Sequence, residues 1–277
     1  MWLPFAALLV ASTAGCKEDA AAKPDPTVAP SSTALAPAKP ATMEARKLTI
    51  DPASSKVELV MEAPQEKIRG RVNGAATGDL QVDFMDVSKT TGLVTVDISG
   101  LELYQAKADK DGKFGEETKS EKQNEHARTW LEISPDAPAD VRKQNSMVQF
   151  SIKSITVDGD KDVAAMMGPE RKVKLKATGD FLLHGHKTEK TVPLEAAFKF
   201  NGDKPMSVTV KTLEPFTVGL AEHEVKPRDA FGKFALKTLE ALAPQGRQGR
   251  QGQHRVHCQG AQLSEIRETG PRAARRG

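Results

Sequence analysis

Two cysteines, two tryptophans and a single tyrosine are all that this 277-residue chain holds of those types. Cys16 and Cys258 lie near opposite ends, so there is no CxxC redox pair, no cysteine-based zinc spacing and no expected disulfide. So few flat aromatic rings argue against a stacking platform for single-stranded nucleic acid. The chain has no GxSxG nucleophile elbow and no glycine-rich phosphate loop of the dinucleotide or P-loop kind. From residue 244 onward there is no lysine at all, but seven arginines and two glutamates. The remainder carries a net charge of about −2, so the overall +3 and the pI near 8.7 come from that tail. The basic balance is therefore no nucleic-acid signature.

Residues 2–11, WLPFAALLVA, form an apolar run of signal-peptide length, too short to span a bilayer as a mature helix. Small residues, Ser12-Thr13-Ala14-Gly15, lead directly into Cys16, the pattern of a lipoprotein cleavage site. Acylation of Cys16 with two or three chains would anchor the protein stably. No Lys or Arg precedes the apolar run, as though the natural start lay upstream. Lys17 and Glu18 stand where an inner-membrane retention signal would often place Asp, which favours the outer membrane. Residues 1–15 are thus read as a signal peptide and 16–45 as a lipid-anchored, Ala/Pro-rich linker. Its composition cannot bury enough surface to offset ordering entropy, which predicts a disordered tether. The expected location is the bacterial cell envelope, facing the periplasm.

Over residues 46–243 the dominant period is two. Val57, Leu59 and Met61 alternate with their neighbours, as do Val94, Val96 and Ile98, and Val148, Phe150 and Ile152. Val173, Leu175 and Ala177 alternate with Lys172, Lys174 and Lys176, and the row continues to Phe181 and Leu183. Val192, Leu194, Ala196, Phe198 and Phe200 form another row, and Val208 with Val210 the last. Such alternation predicts strands with one dry and one wet face, hence an antiparallel sheet. Turn signals at Gly74, Gly78, Ser99-Gly100, Asp158-Gly159-Asp160 and Asn201-Gly202-Asp203 separate the runs. Many strands with turns between them predict a mainly β fold, an antiparallel barrel or sandwich, with one α-helix on its C-terminal side. That helix starts at the N-cap Asp229, aligns Phe231, Phe234, Ala235, Leu239 and Leu242 on one face, and stops at Pro244.

Several pieces in order carry a family likeness: Ile50-Asp51 with Ser55; Asn124-Glu125-His126 followed by Trp130-Leu131-Glu132-Ile133; the run Thr178 to Gly185 with Lys187-Thr188; and Phe231-Gly232. Together they resemble the YceI-like domain, a lipocalin-shaped barrel associated with polyisoprenoid binding. The likeness spans most of residues 46–243. It implies one more alternating strand after the helix, and the sequence shows none there. Residues 244–277 read instead as a disordered Arg-rich tail, either a frameshift product or a genuine basic extension. Without a closing strand the barrel would keep an exposed edge.

Candidate chemistry is sparse. His184 and His186, two apart at a strand end, could share a face, with His126 and His223 as further ligands; zinc needs three or four that converge. The family-like turn makes a structural, hydrogen-bonding His184 the preferred reading. Asp109-Lys110-Asp111-Gly112 with Glu116-Glu117 echoes a calcium loop, but the first and twelfth positions are Lys107 and Thr118, so a solvated charged loop is expected. No catalytic residue, metal or cofactor is assigned, and the chain is read as a non-enzyme. The site is an apolar lining: Val148, Phe150, Ile152, Phe181, Leu183, Leu194, Phe198 and Phe200. Such a lining suits a hydrocarbon chain; the resemblance implies an isoprenoid lipid. The partners expected are that apolar lipid and a membrane, through the acyl anchor, with no nucleic acid. Two rivals stay open: an envelope structural or partner-binding lipoprotein with a filled barrel, and a metal-dependent enzyme using the histidines.

Overall fold

The computed structural model describes residues 34–36, 39–63, 65–225, 255–258 and 262–268. Cys16, the signal segment and the helix expected from Asp229 lie outside the described residues.

The chain is an antiparallel meander. Its first three passes are each broken once. The strands β1 (Arg46–Ile50) and β2 (Ser55–Ala63) flank a 3-10 turn, Pro52–Ser54. Asp51 caps that turn by accepting from the Ala53 N–H, and proline begins it, where no donor is needed. The strands β3 (Glu66–Asn73) and β4 (Ala76–Val82) are separated at Gly74, whose φ of +66° suits glycine. The strands β5 (Thr91–Asp97) and β6 (Glu102–Lys107) flank a second 3-10 turn, Ile98–Gly100, capped by Asp97 accepting from the Ser99 N–H. Buried Ser55 ties the first two breaks together, donating to the Pro52 carbonyl and accepting from the Ala76 N–H. A short β7 (Thr118–Lys119) pairs with β6.

Four longer strands follow: β8 (Met147–Asp158), β9 (Glu170–Leu183), β10 (His186–Asn201) and β11 (Lys204–Thr212), with β12 (Phe216–Gly219) continuing beyond β11. On β9 burial alternates strictly from Arg171 to Phe181, with Lys172, Lys174 and Lys176 exposed, as period two predicts. The β9–β10 hairpin turns through His184-Gly185, with φ of 52° and 76°. Two consecutive positive φ values give the primed turn whose twist matches the strands.

Two strands come from the stretch expected to be disordered: β13 (Arg255–Cys258) and β14 (Gln262–Glu268). β14 pairs with β11 on one side and with β1 and β2 on the other; β13 pairs with β12 and β2. The order β1-β4-β5-β8-β9-β10-β11-β14 therefore returns to β1, and the ring of backbone pairs closes. The tail thus contains the closing strand, which pairs with β11 and β1, the strands that would otherwise be edges. Its sequence conceals it because Leu263 and Ile266 are three apart. They pair with Val210 and Val208, two apart, across a register shift that sets two residues against one.

Two helices were not expected. α1 (Glu121–Trp130) and α2 (Ala139–Asn145) fill the connection between β7 and β8. Ser120 caps α1, accepting from the Gln123 N–H. The calcium-like segment before it is a tight turn: Asp109 Oδ1 accepts from the N–H groups of Asp111 and Lys113, so the loop's own backbone occupies that oxygen.

The described end of the segment read as a free linker is bonded to the barrel wall. The Leu35 N–H donates to Gln149 Oε1 at 2.8 Å, Thr91 Oγ1 to the Lys39 carbonyl at 2.6 Å, and Thr42 Oγ1 to Asp83 Oδ2 at 2.8 Å.

Gly78, expected in a turn, lies inside β4 with φ of +134°. A Cβ there would collide with the Leu93 carbonyl oxygen across the strand pair. Gly78→Ala should cost roughly 1–3 kcal/mol from the backbone conformation alone, lowering the thermal midpoint by several degrees. An unchanged midpoint would refute this account of the strand.

Candidate functional site

The inward faces of the strands enclose a cavity of about 270 Å³. Every strand from β4 to β12 except β6 and β7 contributes, with Val57 and Leu59 from β2. Among the described lining residues only Thr90, Gln149 and Thr212 are polar, and none is charged. Both ends of the Gln149 amide are engaged, Oε1 by the Leu35 N–H and Nε2 by donation to Thr95 Oγ1 at 3.3 Å. A cavity so lined offers water almost no partners, and such cavities stay dry or take apolar guests. Its volume lies just below the 300–1,000 Å³ or so of ordinary small-molecule sites.

Of the eight residues singled out from sequence, seven line the cavity: Val148, Phe150, Ile152, Phe181, Leu183, Leu194 and Phe198. Phe200 does not. Phe200 keeps the inward alternation of β10 and is buried, but it lies beyond the cavity. Its ring lies instead under the Arg171 guanidinium, 3.6 Å from the centroid, with Phe84 edge-on at 6.1 Å.

This packing closes one end of the barrel. Phe84, Val163, Val173, Phe198 and Phe200 are buried together there. Arg171, 6% exposed, binds the connecting loops by donating to the carbonyls of Val163, Ala164, Gly168 and Gly202.

The other end is built from Ile98, Leu101, Leu103, Ile133, Phe181, Leu183 and Val218, with Leu131 and Phe216 packed against them. Asn124 in α1 holds this layer, its Oδ1 accepting from the Leu103 N–H at 2.8 Å, so α1 is fastened to β6 by a buried bond. Phe181 meets Phe216 edge-on at 5.8 Å, and both line the cavity.

His184, His186 and His223 gather beside this end, while His126 stacks on Trp130 within α1 at 5.8 Å. Among the described residues no three His, Cys, Asp or Glu side chains converge as a metal site would require. His184 has a structural bond, as its turn position suggested: its Nδ1 lies 3.1 Å from the His223 carbonyl.

Sequence reasoning passed over part of the lining. Leu80 and Val82, and Phe216 and Val218, alternate around Gln81 and Thr217, a two-residue signal that was present but short. Val87, Thr90 and Leu131 come from segments outside the strands, where no periodicity marks them.

Comparison with known proteins bears on this geometry. The sequence model of the YceI-like domain matches residues 48–235. No curated protein sequence matches the chain. Among solved structures, the crystal structure of Burkholderia cenocepacia BcnA is similar at 15% identity, over 76% of this chain and 97% of that one, with a TM-score of 0.42. A polyisoprenoid binding domain from Saccharophagus degradans implicated in plant cell wall breakdown is similar at 14% identity, over 78% of this chain and 98% of that one, with a TM-score of 0.40.

Proposed function

The chain belongs to the YceI-like domain family, and from that premise we propose that it is a binding module, not an enzyme, that holds an apolar lipid inside its barrel. The observation that carries this reading is the cavity itself: about 270 Å³, lined among the described residues by aliphatic and phenyl side chains with three neutral polar ones and no charged group. A hydrocarbon chain loses nothing by entering such a space, whereas a carboxylate or phosphate would lose its hydration without a partner. The guest inside is therefore hydrocarbon, and an isoprenoid-type chain is the class the family suggests. Any polar head stays outside.

In the same proposal the module is exported, acylated at Cys16, and held on the periplasmic face of the envelope, in the outer membrane. Small residues before Cys16 and the short apolar run support this. Labelled palmitate should enter the parent chain, and Cys16→Ser should abolish that labelling; equal labelling of both would refute acylation at this residue.

The decisive experiment is mass spectrometry of an organic extract of the purified chain, alongside circular dichroism. One lipid per folded, β-rich chain is the expected result, and its mass identifies the class. A folded chain with an empty extract would overturn the carrier reading.

A further inference from the structure

Three of the six histidines meet at the end walled by Phe181 and Phe216. His223 ends the 3-10 turn Ala221–His223 that follows β12, and none of its surface is exposed. Its Nδ1 lies 2.9 Å from the His186 carbonyl oxygen. A carbonyl only accepts, so Nδ1 carries the proton and donates. In the neutral ring Nε2 is then the acceptor, 3.4 Å from Thr188 Oγ1. His184 is fixed in the same way, its Nδ1 donating to the His223 carbonyl. The two rings thus button the turn after β12 onto the β9–β10 hairpin, one from each side.

The button bears directly on the cavity. The His223 ring meets Phe181 edge-on, centroids 5.5 Å apart, and Phe181 in turn meets Phe216. Both phenyl rings line the cavity, as does Val218 of β12. Whatever loosens His223 therefore loosens one wall of the ligand space.

The charged and titratable groups around His223 come from each neighbouring element. His184 and His186 flank it, their rings 6.2 Å apart. Lys190 of β10 is paired with Glu222 at 2.9 Å. Glu224 lies 3.7 Å from His186 Nε2, and Glu132, after α1, lies 3.5 Å from His184 Nε2. His184 Nε2 is buried without a hydrogen bond. For His223, burial, first, and then Lys190 oppose the charged form and outweigh the His186 and Leu183 carbonyls and Glu222, which favour it, so its pKa lies below the ordinary value. A histidine with a depressed folded pKa leaves stability intact above its unfolded value near 6.5 and removes it as pH falls below that.

We propose that the His184–His186–His223 cluster is an acid-operated latch on the cavity: neutral, it holds β12 and the following turn closed against the hairpin, and protonation of His223 releases that wall and its guest. In the cell this would make ligand hand-over faster in an acidified compartment. The proposal rests on the lipid-binding reading given above.

The test uses the full chain loaded with the apolar fluorophore N-phenyl-1-naphthylamine, mixed with phosphatidylcholine vesicles, and follows probe release from pH 8 to pH 5. Release should quicken by at least about tenfold, a change of 1.4 kcal/mol, with unchanged far-ultraviolet circular dichroism. His223→Gln keeps a donor and an acceptor without a titrating group, and its release should be flat with pH. A flat profile in the parent, or the same slope in His223→Gln, would overturn the latch. Should the probe not bind at pH 8, the lipid-binding reading fails separately. The latch is then decided by thermal unfolding: the parent midpoint should fall between pH 8 and pH 5 further than that of His223→Gln, and equal falls would refute it.

Discussion

Phe198→Arg should strip the protein of its bound lipid. Phe198 is 3% exposed, lines the cavity, and meets Phe84 edge-on at 5.8 Å. An arginine there must either bury its charge among aliphatic side chains or fill the cavity with its stem. No carboxylate is among the described lining residues to neutralise it, and an unpaired buried charge costs several kcal/mol. Lipid recovered per folded chain should fall by at least about tenfold, the equivalent of 1.4 kcal/mol. Because this variant could also unfold, Ala177→Phe provides a second measure. Ala177 is fully buried, lines the same cavity, and the added ring would occupy existing space, the milder kind of overpacking. Its extract should be depleted to a similar degree while its circular dichroism stays native. Parental lipid content in both variants would place the guest somewhere other than the barrel interior.

Arg171→Met should be the most destabilising single change at the closed end of the barrel, where Phe84 and Phe200 pack. Four carbonyls, two loops and the face of Phe200 all depend on that one guanidinium. Methionine fills similar volume but donates nothing, and carbonyls left buried cost about 1–3 kcal/mol each. Some will turn to water, so a total near 3–5 kcal/mol is expected, read from the urea midpoint at constant slope. Arg171→Lys should recover little, because one ammonium cannot reproduce a planar fork of donors. A loss below about 1 kcal/mol for the methionine variant would show that the loops are held by other contacts.

The part of the barrel legible in the sequence is the part with long, regular rows. Along β9 from Arg171 to Phe181 and along β10 from Val192 to Phe200 the inward residues recur every second position, and a one-residue slip would turn the whole row outward, so register is well specified. Seven of the eight residues taken from such rows line the cavity; Phe200 keeps the period but lies past the end of the cavity, under Arg171. The helix α1 was illegible for a different reason. Its sequence, EKQNEHARTW, is polar almost throughout, and it is fastened to β6 through a buried amide–backbone bond at Asn124, which no hydrophobic period can announce. The closing strand was hidden by its bulge: the apolar spacing of three at Leu263 and Ile266 matches neither regular strand nor helix by itself. The histidine cluster was half legible, since the spacing of His184 and His186 drew attention, but His223 reaches them only through the fold.

That closing strand sets the order in which the molecule can assemble. The hairpins of β8 to β11 join neighbours through connections as short as two residues and can form as soon as they are synthesised. The seam joins Leu48 to Glu268, more than two hundred residues apart, and its loop-closure entropy must be met before any pairing rewards it. Seam formation is therefore the slow, late event. Until it occurs, β1 and β11 each present an unpaired edge, and the apolar interior stands open to whatever lipid or chaperone is near. A guest captured at that moment would be folded in with the last strand, so loading and folding would share one rate.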